Sequence, residues 1–525
     1  MGICEAPTEL VNPISKKYFT DLSHKQTINS NNNDLSENIK LNVLINHINV
    51  KCKYNIKLYN VIGNQNYPLN EISQCSFSGN SKAKLDSPIL IRYFFEKDQP
   101  LLIKILKTEN GKEKQYNIKT TLGCIIGSRK NTFQRNISPT LNEILINQAD
   151  KLKQNEDVLD IRFEVKANGY NNYIEEKDKI YYEIYSNNIL YRSECFNSQG
   201  KFKPVKLPLN LFKNDIIKIV FIKNTKKIIK QLTFNIYEFV QKKSFNASIN
   251  GISFQIISRS KITKNYTFVD YLKAGIQIGL TVAIDFTASN GNTNDSKSLH
   301  FIHGNKPNQY ERAINACGNI VGYYDYDQLF PCFGFGAKIN DIPMQLFSLN
   351  FKQDPNINYI DGIIKAYHDA IKIVQLWGPT NFAPIIREMN NLIRAQGHCL
   401  KYHILMILTD GIIDDLDQTI DELVEGSFLP LSVIIIGVGK ADFSNMIYLD
   451  ADDYPLVSSQ GVKSVRDLVQ FVPFLKYESN PEYLAMEVLE EIPRQIIEYY
   501  EQNDIEPIST RSSKGAPAPP INMHY

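Results

Sequence analysis

Apolar and polar positions alternate through the first half of the chain. In Ile39-Lys40-Leu41-Asn42-Val43-Leu44-Ile45 every second side chain is aliphatic, and Tyr54 to Tyr59, Ile89 to Phe95 and Leu101 to Leu106 follow the same period of two. Such runs, rich in β-branched and aromatic residues and broken by Asn, Gly and Ser, predict half-buried antiparallel strands. A second block starts near Leu141 and repeats the pattern at Leu159 to Val165, Ile180 to Tyr185 and Ile216 to Ile222. Two antiparallel β-sandwiches are therefore expected, over 36–140 and 141–262, each near the usual size of such a domain. Residues 1–35 end in the polar run Asn29 to Asp34 and read as a mobile arm.

The period changes after Tyr266. Ile278 to Ile284, Tyr402 to Leu408 and Leu431 to Val438 are apolar without alternation, as in strands covered on both faces. Helical periods separate them, at Glu311 to Tyr323, Gly362 to Leu376, Pro384 to Gln396 and Thr419 to Phe428. Alternating strands and helices predict a doubly wound α/β domain over 263–505, with its ligand site at the carboxyl ends of the strands. A closing helix is expected over Pro481 to Gln502, and 506–525, with Pro517, Pro519 and Pro520, reads as a flexible tail.

Composition narrows the classes. Of 525 residues, 43% are apolar and 22% charged, which is ordinary for a globular protein of two or three domains. The longest apolar runs fall well short of the roughly 18 residues a membrane-spanning helix needs. Eight cysteines lack any Cys-x-x-Cys pairing, so neither a disulfide framework nor a structural zinc site is expected. The N-terminal stretch lacks the basic and apolar pattern of a secretory signal, which points to the cytoplasm. Net charge is only +2, yet residues 1–264 hold 40 Lys+Arg against 24 Asp+Glu while 265–525 hold 18 against 32. That asymmetry suits a basic half meeting an anionic surface.

The candidate chemistry lies at strand ends. Asp285-Phe286-Thr287-Ala288-Ser289 closes the first buried strand and sets a carboxylate and two hydroxyls at alternate positions. Thr380, in Gly378-Pro379-Thr380-Asn381-Phe382, adds a hydroxyl, and Asp410, in Leu408-Thr409-Asp410-Gly411, adds a carboxylate. Oxygen donors from three loops at one sheet edge make an octahedral site for Mg²⁺ or Mn²⁺. Gly334-x-Gly336 and Gly437-x-Gly439 lack the third glycine of a dinucleotide site, and no phosphate-binding loop or kinase signature appears. Trp377, the single tryptophan, reads as packing at a helix end.

These stretches resemble the von Willebrand factor A domain with its metal-ion-dependent adhesion site, and specifically the A domain of the copines. The resemblance spans about 250–500 and rests on Phe268 to Tyr271, Thr281 to Gly291, Phe333 to Lys338, Gly378 to Ile386, Val438 to Ser444 and Arg466 to Phe474. It implies that the two sandwiches are C2-type domains. It also implies calcium-dependent binding to anionic phospholipid, recruitment of target proteins through the A domain, and peripheral association with the plasma membrane. Ca²⁺ thus enters by resemblance beside Mg²⁺ or Mn²⁺, and nucleic acid is not an expected partner.

The sandwiches depart from that pattern. C2-type calcium sites need clustered Asp carboxylates. Here the loop after Ile216 to Ile222 runs Lys223-Asn224-Thr225-Lys226-Lys227-Ile228-Ile229-Lys230, the loop after Val165 runs Lys166 to Asn172 without an acid, and Lys107 to Lys112 holds one Glu. Both sandwiches are expected to have lost the ion, with Lys223, Lys226, Lys227 and Lys230 binding anionic lipid directly. Gly2 and Cys4 stand where myristate and palmitate would attach, but Ala6 replaces the usual Ser or Thr. The expected function is a non-enzymatic membrane adaptor. The alternatives are a cytosolic scaffold that never meets lipid and a relative of the A-domain ubiquitin ligases, the latter disfavoured because 505–525 contain no cysteine.

Overall fold

A computed structural model describes residues 36–507, apart from 47–52, 63–64, 69–72, 79–81, 86–87, 129–130, 139–140, 152–156, 167–179, 187, 197–199, 203, 224, 250–251, 303, 305, 397–400 and 451–454. The N-terminal arm with Gly2 and Cys4, most of the tail, and the loop after Lys166 lie outside the described residues. Among the described residues no helix is long and apolar enough to cross a membrane.

The chain forms two compact units, and their boundaries differ from the expected ones. One unit combines 35–153 with 266–525, and the described part of the other is 154–265. Leu141–Lys151, expected to open the second sandwich, instead pairs antiparallel with Glu37–Asn46 and with Thr132–Ser138, so it closes the first. The pattern of alternation was legible there, but alternation carries no information about which neighbour a strand pairs with.

The first sandwich and the α/β part share one apolar core. Ile39, Leu41, Val43 and Ile45 are fully buried in the same cluster as Phe268, Tyr324 and the central strands of the α/β sheet. Tyr93 and Tyr324 hydroxyls meet at 2.5 Å, and the Phe95 ring packs edge-on against Phe268 at 5.1 Å. Glu37 accepts from Thr267 Oγ1 at 2.8 Å and from Val269 N at 3.0 Å, capping the first helix of the α/β part from the neighbouring sandwich. Gly127 is obligatory at this junction, since a Cβ would stand 2.3 Å from the Tyr323 carbonyl oxygen.

The other unit is the second sandwich. Its sheets run Val205–Pro208, Asp157–Ile161, Lys261–Lys264; Phe163–Lys166, Ile252–Ser258, Ser244–Ile249; and Ile189–Arg192, Ile180–Tyr185, Ile216–Lys223, Ile228–Asn235. All its strand pairings are antiparallel. Alternate residues such as Ile180, Tyr182 and Ile184 fill a separate core around Phe163 and Phe221.

Within the α/β part we label strands β1 Gln277–Asp285, β2 Leu329–Ile339, β3 Ile342–Ser348, β4 Lys401–Thr409, β5 Leu431–Gly437 and β6 Val469–Pro473. Helices are α1 Phe268–Ala274, α2 Gln309–Val321, α3 Ile360–Ile373, α4 Ala383–Gln396, α5 Leu416–Gly426, α6 Ser444–Leu449, α7 Pro481–Leu489 and α8 Ile492–Gln502. The six longer strands run in the order β3-β2-β1-β4-β5-β6, parallel except for the β2–β3 hairpin, and the short strands Asn356–Asn358 and Gln375–Leu376 add antiparallel to β2. On one face Leu280, Val282, Ile404 and Met406 meet α2, α3, α7 and α8; on the other Ala283, Leu405, Ile407 and Val433 meet α4, α5 and α6. Burial on both faces explains the unbroken apolar runs. The single closing helix expected at Pro481 to Gln502 is two helices that break at Glu490 and Glu491, ahead of Pro493 in the first turn of α8. β1 has β2 on one side and β4 on the other, so strand order reverses there and a crevice opens above their carboxyl ends.

Candidate metal centre

Asp285 is the last residue of β1, and its backbone pairing with β2 carries its side chain to the sheet edge, fully buried. Thr287 folds back on it: the Thr287 N–H and Oγ1 donate to Asp285 Oδ1 at 2.8 and 2.6 Å. Thr409, at the end of β4, donates to Oδ2 at 2.6 Å. Thr287 Oγ1 and Ser289 Oγ stand 2.8 Å apart, and Ser289 donates to Asp410 Oδ1 at 2.8 Å. The two carboxylates predicted from the sequence are thus joined through the two predicted hydroxyls.

Thr380 arrives on the third loop. Asp414 clamps it, accepting from Thr380 N at 2.7 Å and donating its own N–H to Thr380 O at 2.9 Å. Asp415 accepts from Phe382 N and Ala383 N at 2.9 Å each, covering the first donors of α4. Thr380 Oγ1 lies 3.3 Å and Ser289 Oγ 3.6 Å from where a Cβ on Gly411 would stand, so both hydroxyls face one point beside Asp410. The five predicted residues therefore sit at one edge.

Tight backbone approach makes this possible. Gly336 adopts φ +73, and a Cβ there would come within 2.3 Å of Thr287 Cγ2. Trp377 donates its N–H to Phe286 O and Gly336 O, and its carbonyl accepts from Ala288 N at 2.8 Å. Trp377 as a whole is 47% exposed, with Lys338 Nζ 3.1 Å from the ring centroid, so the packing role expected for this side chain gives way to a place on the rim.

Several supporting residues gave no sequence signal. Asn290 donates to Asp410 Oδ1 at 2.9 Å and accepts from Tyr310 OH at 2.6 Å. The buried His300 meets the Asp285 carbonyl at 2.9 Å through Nε2 and Tyr367 OH at 2.8 Å through Nδ1, and Asn308 Nδ2 donates to the same Tyr367 oxygen at 3.0 Å. Burial pushes the His300 imidazole down to about 3, so it is neutral, and Nε2 carries the proton donated to Asp285 O. Each of these is a single polar residue in a loop or helix, which only the fold brings to the site.

Burial raises both carboxylates. Asp410 is pushed up to about 7, first by desolvation and then by the charge of Asp285, and Asp285 is raised by desolvation against its hydrogen bonds. A divalent cation would relieve that repulsion, and carboxylate with hydroxyl oxygen is the donor set hard cations take. Among the described residues no group of three or more His, Cys, Asp or Glu gathers anywhere, which leaves this mixed oxygen set as the candidate. Beside it opens a cleft of about 370 Å³, with Ser289 and Asp410 in its wall.

The predicted lysines lie on the other unit. Lys223 ends one strand and Lys230 sits in the next, with Lys226 and Lys227 exposed in the turn between them, where Lys226 N donates to Lys223 O at 2.7 Å. At Lys107 to Lys112 the chain makes a two-residue hairpin turn, with Asn110 and Gly111 at positive φ between the paired Glu109 and Lys112.

Residues 298–508 match the family model described as Copine. The chain carries a copine domain. The matched span contains Thr380 and Asp410, whereas β1 with Asp285, Thr287 and Ser289 precedes it and pairs in parallel with β4 of that span. Solved structures give looser likenesses. Manganese-loaded TRAP protein of Plasmodium vivax is 13% identical over 38% of this chain and 70% of its own, with a TM-score of 0.26. Proximal thread matrix protein 1 of the mussel byssus, with a zinc-occupied MIDAS motif, is 16% identical over 40% of this chain and 46% of its own, at 0.24. The region of Extended-Synaptotagmin 2 that spans its SMP domain and a pair of C2 domains is 8% identical over 44% of this chain and 58% of its own, at 0.17.

Proposed function

We propose that this chain is a non-enzymatic, copine-like peripheral membrane adaptor. Its copine domain holds Mg²⁺ or Mn²⁺ among Asp285, Thr287, Ser289, Thr380 and Asp410 and offers an open position to a carboxylate of a protein partner. Lys223, Lys226, Lys227 and Lys230 of the second sandwich dock on an anionic leaflet, in keeping with the plasma membrane. The observation that carries the reading is the continuous chain of contacts from Asp285 through Thr287 and Ser289 to Asp410 at the reversal of strand order.

We also assign no Ca²⁺ to the sandwiches. A two-residue hairpin at Asn110-Gly111 and a lysine turn at 223–230 supply too few carboxylate oxygens for an ion that takes six to eight. Any calcium response then acts through the copine domain.

Calorimetric titration of the full chain with Mn²⁺ tests the metal reading. Asp285→Ala and Asp410→Ala should each lower affinity by at least about 100-fold, a loss of the size expected when a ligand carboxylate is removed, while circular dichroism stays unchanged. Equal affinity in both variants and the parent would dismiss the site.

A further inference from the structure

The cleft beside the candidate ligands has a second polar end that metal binding leaves unused. From Ser289 and Asp410 it runs past Leu299 and Leu475 to the turn at Gly439-Lys440-Ala441. That turn is held in place. Gly439 adopts φ +75, its N–H donates to Gln309 Oε1 at 2.8 Å, and a Cβ there would meet Leu299 Cδ1 at 2.9 Å. Leu299 N donates to Asn290 O at 3.0 Å, and Asn290 Nδ2 donates to Asp410 Oδ1 at 2.9 Å. The turn therefore packs on Leu299, which is tied to the ligand carboxylate through Asn290.

Lys440 is exposed on this turn and has no ion pair or hydrogen bond with another described residue. The acidic residue nearest in sequence, Asp442, accepts from Ser444 N and Oγ at 3.0 and 2.5 Å. With a cation at Asp410 the cleft would hold two positive charges, the ion and Lys440, with aliphatic carbon from Leu299 and Leu475 in the same wall.

We propose that this cleft holds a second, anion-binding subsite beside the metal and that the copine domain captures a diacidic peptide segment. One carboxylate goes to the cation, the other to Lys440 Nζ, and the methylenes and backbone between them lie over Leu299 and Leu475. The inference rests on the metal reading above and adds the ligand's second charge. A single carboxylate would satisfy the cation and leave the ammonium unmatched. Two carboxylates complement both ends, and a wrong partner with a basic residue in that place is repelled.

The test is a peptide array with Asp fixed at the centre and neighbouring positions varied, probed with the full chain in excess Mn²⁺. The expected result is enrichment of Asp or Glu within a few positions of the centre, and binding of such peptides about five- to tenfold tighter than that of single-acid controls, the range for one charge pair sheltered in a cleft. Lys440→Gln should abolish the enrichment, Lys440→Arg should restore it, and Mn²⁺ affinity should be the same in all three proteins. Acid preference that survives Lys440→Gln overturns the subsite. So does the absence of peptide binding when Mn²⁺ is bound, which leaves the metal site standing. Failure to bind Mn²⁺ at all removes both readings together.

Discussion

At the residue scale, Asp325 shows how burial can override a favourable partner. Its side chain has no exposure and faces Lys401 Nζ at 3.2 Å, yet desolvation outweighs the lysine's charge and the carboxyl is pushed up to about 7 from an ordinary 3.8. Between those two values the folded chain keeps a proton that the unfolded chain has lost. The contribution to stability is therefore intact below the unfolded value and eroded as pH rises through 7. Asp325→Asn cannot ionise, so its urea midpoint should gain on the parent's as the solution goes from about pH 5 to about pH 8. A constant gap across that range would show that Asp325 does not titrate there. Lys401 also explains a glycine, since its side chain lies where a Cβ on Gly279 would be 2.2 Å from Cε.

At the scale of elements, α2 carries the copine domain's site from its N-terminus. Asn308 caps the helix by accepting from Glu311 N at 3.0 Å, and Glu311 accepts from Asn308 N at 2.7 Å. The same Asn308 amide holds Tyr367, which holds His300 under Asp285. Asn308→Ala should cost about 1 to 2 kcal/mol by denaturant titration, the usual loss of a cap, and should also weaken Mn²⁺ binding several-fold. Loss of stability with unchanged metal affinity would confine Asn308 to capping. Asp285, Thr287, Ser289, Thr380 and Asp410 were legible in the sequence because each follows an apolar strand or opens a helix, and a strand's end fixes where its next residues go. The chain from Asn308 to His300 was not, because an isolated buried polar residue looks like any loop residue until its partners are placed. β2 escaped for a related reason: Pro331, Gly334 and Gly336 interrupt its apolar run, and the glycines are there to admit Phe347 and Thr287.

At the scale of the whole molecule, the second sandwich is an insertion. The chain leaves the larger unit after Lys151, which pairs with Ile39, and returns at Thr267, which hydrogen-bonds Glu37 two residues away. Exit and re-entry thus lie together, the arrangement that tolerates a guest domain. Period-two alternation could reveal the buried faces of the first sandwich but not that the copine domain covers part of its core, since a pattern of burial does not name the covering surface. Replacing 154–265 by a short Gly-rich linker should leave a folded protein with parental Mn²⁺ affinity that no longer pellets with anionic vesicles at low salt, each lost lysine being worth about 1 kcal/mol at such a surface. An insoluble product would contradict the separate cores, and retained pelleting would move the membrane contact elsewhere. The insertion also has a mechanical meaning. A guest joined to its host by two connections at one spot cannot be released by a single proteolytic cut, and a pull applied to it is divided between both chain segments at the paired strand carrying Ile39.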